Sequence, residues 1–209
     1  MTSPDQTVIG LFPLQLVVVP GEVVPLHIFE ERYKRLVGEM LDVGEFGIVL
    51  ADEDSVHECG CTVSVAEVLE QFDDGRLNIL VEGGRRFRLV ETRAPDDPEV
   101  EYLSGLVEYY DDAEPDAPEA LSEGVLEVFR KMLVLMDVET PRPPVGEGPL
   151  SFRVAAAVDF GAPLKQELLE SVSEEQRLGT LLTVMETLLP RLELRKEREE
   201  AIRGNGKGS

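Results

Sequence analysis

The sequence contains few cysteines and few basic residues, and both shortages limit what the protein can be. Only two cysteines occur, Cys59 and Cys61, with one residue between them. That spacing is too tight for an ordinary disulfide, and two cysteines are too few for a secreted disulfide scaffold, so we expect a reducing, cytoplasmic compartment. The 20 basic against 42 acidic residues give a net charge of −22. A field of this sign repels phosphates, so we expect neither nucleic acid nor an anionic membrane surface as a partner.

Long apolar runs are also missing. The first apolar run is broken by Pro13, Gln15 and Pro20, and residues 1–7 contain no basic residue. Neither a signal peptide nor a membrane span fits this pattern. Hydrophobic residues nevertheless make up 43% of the chain, which is enough apolar surface for one large globular domain or two small ones.

The first half of the chain predicts a β domain. Short segments rich in Val, Leu and aromatic residues are typical of strands. They lie at 7–12, 23–28, 46–51, 61–72, 76–82, 85–92 and 100–109. Residues 73–75, Asp-Asp-Gly, have the turn chemistry of a hairpin, so we expect the strands around Leu69 and Leu77 to pair. An apolar stripe with helical spacing over residues 33–41 predicts one helix packed on the sheet.

The second half predicts helices. An acidic, proline-rich segment at 111–118 disfavours strand pairing and a helix interior and therefore marks a boundary. Apolar residues at helical spacing then predict helices at 121–136, 152–158 and 164–171. A stiff proline segment at 141–144 is expected to act as a spacer. The last helix is predicted to begin with a capping box of Ser173 and Gln176, and Pro190 should kink that helix or end it.

Several stretches, taken in order, carry a resemblance to a known family. Residues 11–14 are Leu-Phe-Pro-Leu, residues 25–30 are Pro-Leu-His-Ile-Phe-Glu, and residues 46–50 are Phe-Gly-Ile-Val-Leu. The pattern continues at 74–80, 82–89, 165–170 and 177–178. Together these stretches resemble the N-terminal, substrate-binding domain family of Lon proteases over nearly the whole chain.

The resemblance implies an α+β fold with two parts. The first is a mostly antiparallel PUA-like β-barrel or sheet domain with one packed helix, expected over residues 1–114. The second is a C-terminal α-helical bundle over residues 115–204. Residues 205–209 are expected to form a disordered tail.

The resemblance also implies a function. A Lon protease continues into an ATPase with a Gly-x-x-x-x-Gly-Lys-Ser/Thr loop and then a serine–lysine peptidase. Here Gly206 and Lys207 form the only Gly-Lys pair, and Gly208 follows it, so a phosphate-binding loop is not supported. We therefore expect a stand-alone, non-enzymatic recognition module without a cofactor. It would bind unfolded polypeptide or a protein partner in the setting of protein quality control or proteolysis, as a monomer or weak dimer.

Two other functions remain open from the sequence. An accessory peptidase or hydrolase of the Lon-related class is suggested by family association alone, because no nucleophile–base pair and no Gly-x-Ser-x-Gly motif is visible. A PUA-like nucleic-acid binder is suggested by fold analogy and is opposed by the net charge.

Six apolar residues are candidates for a surface that traps exposed side chains of unfolded polypeptide. They are Leu11, Phe12, Pro13, Leu14, Phe29 and Tyr33. The alternative is that they pack in the core, which is the usual position of apolar residues beside a strand and a helix.

Arg86 and Arg88 are candidates for a polar contact. On a strand they share one face, while Phe87 points the other way. They could hold acidic groups of a partner, or they could pair within the chain with Glu30 or Glu82. In so acidic a chain the second arrangement is favoured.

Three residues form a weak candidate for a metal site. His57, Cys59 and Cys61 alternate along a predicted strand and so would share a face. A structural zinc site needs four ligands, and the other histidine, His27, lies far away in the sequence. We therefore expect no metal site and interpret both cysteines as small hydrophobic residues beside the sheet.

Overall fold

The computed structural model describes residues 6–41, 44–52, 55–94, 102–138 and 144–205. The β part comes first, and one helix lies between its second and third strands. Its elements are β1 (Gln6–Leu14), β2 (Val23–Ile28), α1 (Glu31–Met40), β3 (Phe46–Ala51), β4 (Val56–Gln71), β5 (Leu77–Arg93) and β6 (Ser104–Tyr109). The helical part consists of α2 (Glu119–Leu135), α3 (Leu150–Ala157), α4 (Ala162–Glu170) and α5 (Glu174–Asn205). The expected α+β class, with strands first and helices after them, is confirmed.

The strands form a mostly antiparallel barrel with one strand attached outside it. The order across the sheet is β2-β5-β4-β3-β1-β6, and β6 also pairs with β5, which closes a ring of five strands. Only the β1–β3 pair is parallel in the described sheet. β2 pairs with residues 77–82 of β5, before β5 enters the closed ring. This leaves β2 as an edge strand.

Three apolar clusters hold the molecule together. One is formed by strand residues such as Leu11, Phe87 and Val107. A second lies between the buried face of α1 and the strands and includes Tyr33 and Ile79. The third is built by helices α2 to α5 and takes in Val17, Val19 and Cys61 from the β part. The helices therefore pack on the β part through a shared core.

A local sequence signal explains the hairpin formed by β4 and β5. The turn at 73–75 connects β4 and β5, and Gly75 adopts a φ of 81°, which glycine reaches at little cost. The Phe72 N–H donates to the Arg76 carbonyl at 2.9 Å across this turn. The register places Gln71 opposite Leu77 and Val68 opposite Ile79. The predicted hairpin is confirmed.

The strand boundaries differ from the prediction at several points. The segments predicted at 76–82 and 85–92 are one continuous strand, β5, because Gly83 and Gly84 remain extended between them. β4 begins at Val56, five residues before the expected start. The last strand begins at Ser104, and residues 100–101 of the predicted strand lie outside the described residues.

The helical part also departs from the expectations in detail. α5 runs through Pro190 to Asn205, so of the two outcomes predicted for Pro190, a kink or an end of the helix, the helix does not end there. Residues 206–209 of the tail and 141–143 of the proline spacer lie outside the described residues.

Ser173 caps α5 through its Oγ, which accepts the Gln176 N–H at 3.4 Å. Within the described residues, no helix combines the length and apolar character needed to cross a membrane.

The segment at 111–118 is attached to the helical part. Glu114 forms a parallel bridge with Ser173, and the Glu174 N–H donates to the Glu114 carbonyl at 2.9 Å. Pairing was not expected in so acidic and proline-rich a segment. It occurs because the N-terminus of α5 offers backbone donors that have no partner within the helix.

Gly83 is the glycine whose replacement should be most damaging. A Cβ at this position would lie 2.1 Å from the Val19 carbonyl oxygen, because the two backbones approach closely there. We expect Gly83→Ala to lower the free energy of unfolding by at least about 1–3 kcal/mol through overpacking. Gly38→Ala is the matched control, since a Cβ there meets nothing within 4 Å. It should raise stability by about 0.5–1 kcal/mol, as expected for alanine in a helix. Urea denaturation followed by circular dichroism measures both changes, and equal stabilities would contradict the close approach.

Candidate functional site

A three-stranded antiparallel sheet extends from the barrel. It consists of β2, residues 77–83 of β5 and residues 64–71 of β4. Its inner side faces the core that α1 covers, where Ile28, Ile79 and Val81 are buried. Because side chains alternate along a strand, the neighbouring residues point outward. We call these outward residues the outer face: Val23, Pro25, His27, Glu67, Leu69, Glu70, Asn78, Leu80 and Glu82.

One polar row crosses all three strands of the outer face. The Asn78 Nδ2 donates to Glu70 Oε2 at 3.0 Å, which directs the Asn78 Oδ1 toward β2. This oxygen lies 2.7 Å from His27 Nδ1, so Nδ1 is the protonated ring nitrogen in this arrangement. Beside the row, Pro25 and Leu69 help to line a shallow depression of about 490 Å³. The two hydrogen bonds hold the three polar side chains to one another across the face.

Apolar side chains are exposed on the outer face and at its end. Val23 is 53% exposed, Leu69 is 52% exposed, and Phe29, which follows β2 directly, is 59% exposed. The Phe29 ring stacks on His27 with 5.9 Å between ring centroids, and the Phe72 ring meets His27 edge-on at 6.3 Å. Exposed apolar side chains grouped on one face mark interaction sites more often than isolated exposed residues do.

The free edges of this small sheet are poor templates for another strand. Pro25 lies in the edge strand β2 and has no N–H to donate. On the opposite side, the register of β4 against β5 shifts between Val65 and Glu67 and again between Val68 and Glu70. Proline and bulges are devices that prevent pairing at sheet edges. A partner is therefore expected to contact side chains of the outer face.

Of the six apolar candidates from the sequence, three belong to the core. Leu11 is buried among the strand residues of the barrel cluster. Phe12 and Tyr33 are buried and stack with 4.0 Å between ring centroids. Pro13 and Leu14 are half-buried. The predicted surface of six apolar residues is therefore wrong for Leu11, Phe12 and Tyr33, because buried side chains cannot line a surface. Phe29 is the exposed member of the six, and it lies beside the outer face.

The two arginine candidates have different positions. Arg88 is exposed on β5. Arg86 is buried, and its guanidinium pairs with Asp112 and donates to the Leu169 carbonyl at 3.0 Å. The expected intramolecular partners were Glu30 or Glu82, and the structure gives Asp112 instead for Arg86. Because Arg86 is buried between the β part and α4, its side chain is not available for a contact at the surface.

Arg86 belongs to a buried ionic network that joins the two parts. Arg177, which is 0% exposed, donates to Asp112 Oδ1 at 2.7 Å and to Glu174 Oε2 at 2.7 Å. It also donates to Ser151 Oγ at 2.8 Å. Burial by itself would raise the pKa of Asp112, but the hydrogen bonds and charges of Arg177 and Arg86 outweigh it, and the pKa lies below its ordinary value. The network is buried, because the side chains of Arg86, Asp112, Glu174 and Arg177 are at most 6% exposed.

The weak metal candidates do not converge. Cys61 faces the helical core and Cys59 is also buried, while His57 is partly exposed. His57 Nε2 lies 3.4 Å from Asp52 Oδ2. Burial raises the pKa of the Cys61 thiol to about 12, so it is protonated at neutral pH and is not a ready metal ligand. Among the described residues, no group of three or more potential ligands is close enough to hold a metal ion.

Sequence reasoning did not identify Val23, Leu69 or Leu80 as surface residues. Residues 23–28 are apolar except for one position, so their alternation gives almost no signal of which face is buried. His27 was the available signal, because a single polar residue in an apolar strand favours an outward position for itself and for Pro25 and Val23.

Two solved structures share the fold of this chain. A crystal structure of a Lon N-terminal domain protein from Xanthomonas campestris superposes with a TM-score of 0.66 at 25% identity, covering 85% of this chain and 98% of that chain. The N-terminal domain of a Lon protease from the Mycobacterium avium complex has a TM-score of 0.61 at 17% identity and shares the fold. The molecule is thus built as a Lon N-terminal domain.

The family follows from the sequence match. The model of the ATP-dependent protease La (LON) substrate-binding domain matches residues 8–187, and the chain belongs to this family. Lon proteases of Brucella suis and Azorhizobium caulinodans are 28% and 29% identical and match 90% and 94% of this chain. The match covers 25% and 26% of those two proteins. The chain therefore spans about a quarter of the length of these two relatives.

Proposed function

We propose that the chain is a non-catalytic recognition module that binds unfolded polypeptide through the outer face. The proposed setting is the cytoplasm, in protein quality control or proteolysis. The observation that carries the proposal is the exposure of Phe29, Leu69 and Val23 on and beside one small sheet whose edges resist strand pairing. The description of the family as a substrate-binding domain supports it.

The shape of the outer face suits weak binding with little sequence preference. Strands about 4.8 Å apart with a rise of about 3.4 Å per residue give an area of roughly 300 Å². Stable complexes bury about 800 Å² on each partner, so a single contact here should be transient. Exposed apolar side chains accept apolar side chains of many shapes. Unfolded chains present such side chains, and folded proteins bury them.

Phe29→Asp should weaken this binding. The aromatic ring is lost and a carboxylate is placed where an apolar side chain of the bound chain would lie, which costs free energy unless the charge stays hydrated. We expect the dissociation constant for a reduced, alkylated and therefore permanently unfolded protein to rise at least about tenfold, equivalent to about 1.4 kcal/mol. Fluorescence anisotropy with the labelled unfolded protein measures the change. Because Phe29 is 59% exposed, the fold should survive the substitution.

Val134→Asp is the matched control. Val134 is 52% exposed and lies on α2 in the helical part, so the same carboxylate is introduced at similar exposure away from the outer face. Its dissociation constant should stay within about twofold of the wild type, a difference of about 0.4 kcal/mol. Equal weakening by both variants, with circular dichroism showing both folded, would contradict binding at the outer face.

A further inference from the structure

The outer face is acidic as well as apolar. Its three strand segments carry Glu67, Glu70 and Glu82 and contain neither lysine nor arginine. In the register, Glu67 lies opposite Leu80, and Glu82 lies opposite Val23. Carboxylates therefore stand next to the apolar side chains and within reach of the same bound segment.

These carboxylates lack compensating charge. Glu67 and Glu82 are exposed, and they form no ion pair within the described part of the chain. The cations of the adjoining segments are already paired at 2.7–2.8 Å: Arg32 with Glu30, Lys34 with Glu31, and Arg76 with Asp74. The acidic character of the outer face is thus available to a partner.

We infer that the outer face selects polypeptide segments that combine lysine or arginine with apolar side chains. This inference rests on the proposed function and names its substrate class. Lysine and arginine can lay their apolar stems on Val23, Leu69 and Leu80 while their charged ends reach the carboxylates. The exposed ring of Phe29 adds a favourable surface for a cation. Acidic segments are repelled by the same carboxylates, and neutral apolar segments gain only the apolar contact.

The test uses three peptides of equal length and identical apolar residues, with lysine, glutamine or glutamate at the remaining positions. The lysine peptide should bind the wild-type protein about tenfold more tightly than the glutamine peptide, and the glutamate peptide should bind most weakly. Raising the salt concentration from about 0.01 M to about 1 M shortens the Debye length from about 30 Å to about 3 Å. It should remove the advantage of lysine and leave the binding of the glutamine peptide nearly unchanged.

A pair of double variants separates the outer face from the net charge of the whole chain. Glu67→Gln with Glu82→Gln should abolish most of the preference for lysine over glutamine. Glu123→Gln with Glu186→Gln makes the same change in net charge at exposed helical positions and should keep the preference. All four residues are exposed, so the substitutions should leave the fold intact, which circular dichroism checks.

The outcomes are distinguishable. Loss of the lysine preference in the outer-face variant alone supports the inference. Equal binding of the three peptides, or equal loss of the preference in both double variants, overturns it and leaves the proposed function standing. If none of the three peptides and no unfolded protein binds, the proposed function is overturned together with the inference.

Discussion

Replacing Arg177 with methionine is expected to lower the free energy of unfolding by about 3–5 kcal/mol, the usual cost of removing one partner from a buried ion pair. The arginine side chain is 0% exposed and bridges Asp112 and Glu174. Without it, the Glu174 carboxylate stays buried with Ser151 as its remaining side-chain partner. The contact of the guanidinium with the Phe152 ring, at 4.5 Å, is lost as well.

Urea denaturation at neutral pH measures this loss, and Arg195→Met is the control. Arg195 pairs with Glu199 at 3.5 Å on the exposed part of α5, where its side chain is 54% exposed. An exposed pair contributes about 0–1 kcal/mol, so this variant should be nearly as stable as the wild type. A loss of less than about 1 kcal/mol in Arg177→Met would mean that water reaches the network and solvates the remaining carboxylates.

The second large effect is expected at Lys165. Its Nζ lies 2.5 Å from Glu22 Oε1, and both side chains are 9% exposed. Lys165→Met leaves the Glu22 carboxylate buried, with the Val19 N–H as its donor at 3.1 Å. We expect a loss of about 3–5 kcal/mol. Since this pair connects the β1–β2 connection to α4, the loss would weaken the contact between the β part and the helical part.

A rescue variant tests whether the buried charge is the cause. Glu22→Gln in the Lys165→Met background removes the charge and retains an oxygen that can accept the Val19 N–H. Replacing a buried ion pair with neutral groups of similar volume is often nearly neutral, so the double variant should regain most of the lost stability. If the double variant is as unstable as Lys165→Met, lost packing explains the effect and the buried charge does not.

Much of the fold follows from local sequence patterns. The bounds of β2 and β3 were predicted correctly, and α1 to α4 were each located within a few residues, because apolar spacing depends on neighbours in the chain. Boundaries that depend on distant contacts were missed. β5 continues through Gly83 because the backbones of Val19 and Glu22 lie against it. α5 continues through Pro190 although proline disfavours a helix interior.

The site was only partly predictable from the sequence. Phe29 was identified as a candidate, but Leu11, Phe12 and Tyr33 have the same apolar character and are buried. Which of them are exposed depends on how β1 pairs within the barrel and on the position of α1, and neither is encoded in a short motif. Asp112 lies in the acidic, proline-rich segment at 111–118, whose composition predicted only a boundary. Its partner Arg177 is 65 residues away, so no local pattern could reveal the network.

Binding at the outer face can be tested by mapping where unfolded polypeptide contacts the protein. Backbone amide chemical shifts of isotope-labelled protein, recorded by NMR with increasing amounts of a permanently unfolded protein, provide this map. If unfolded polypeptide binds at the outer face, the largest changes occur in β2, in residues 64–71 and 77–83, and at Phe29. Changes concentrated on α2 and α5, or no changes at concentrations where anisotropy detects binding, would contradict binding at the outer face.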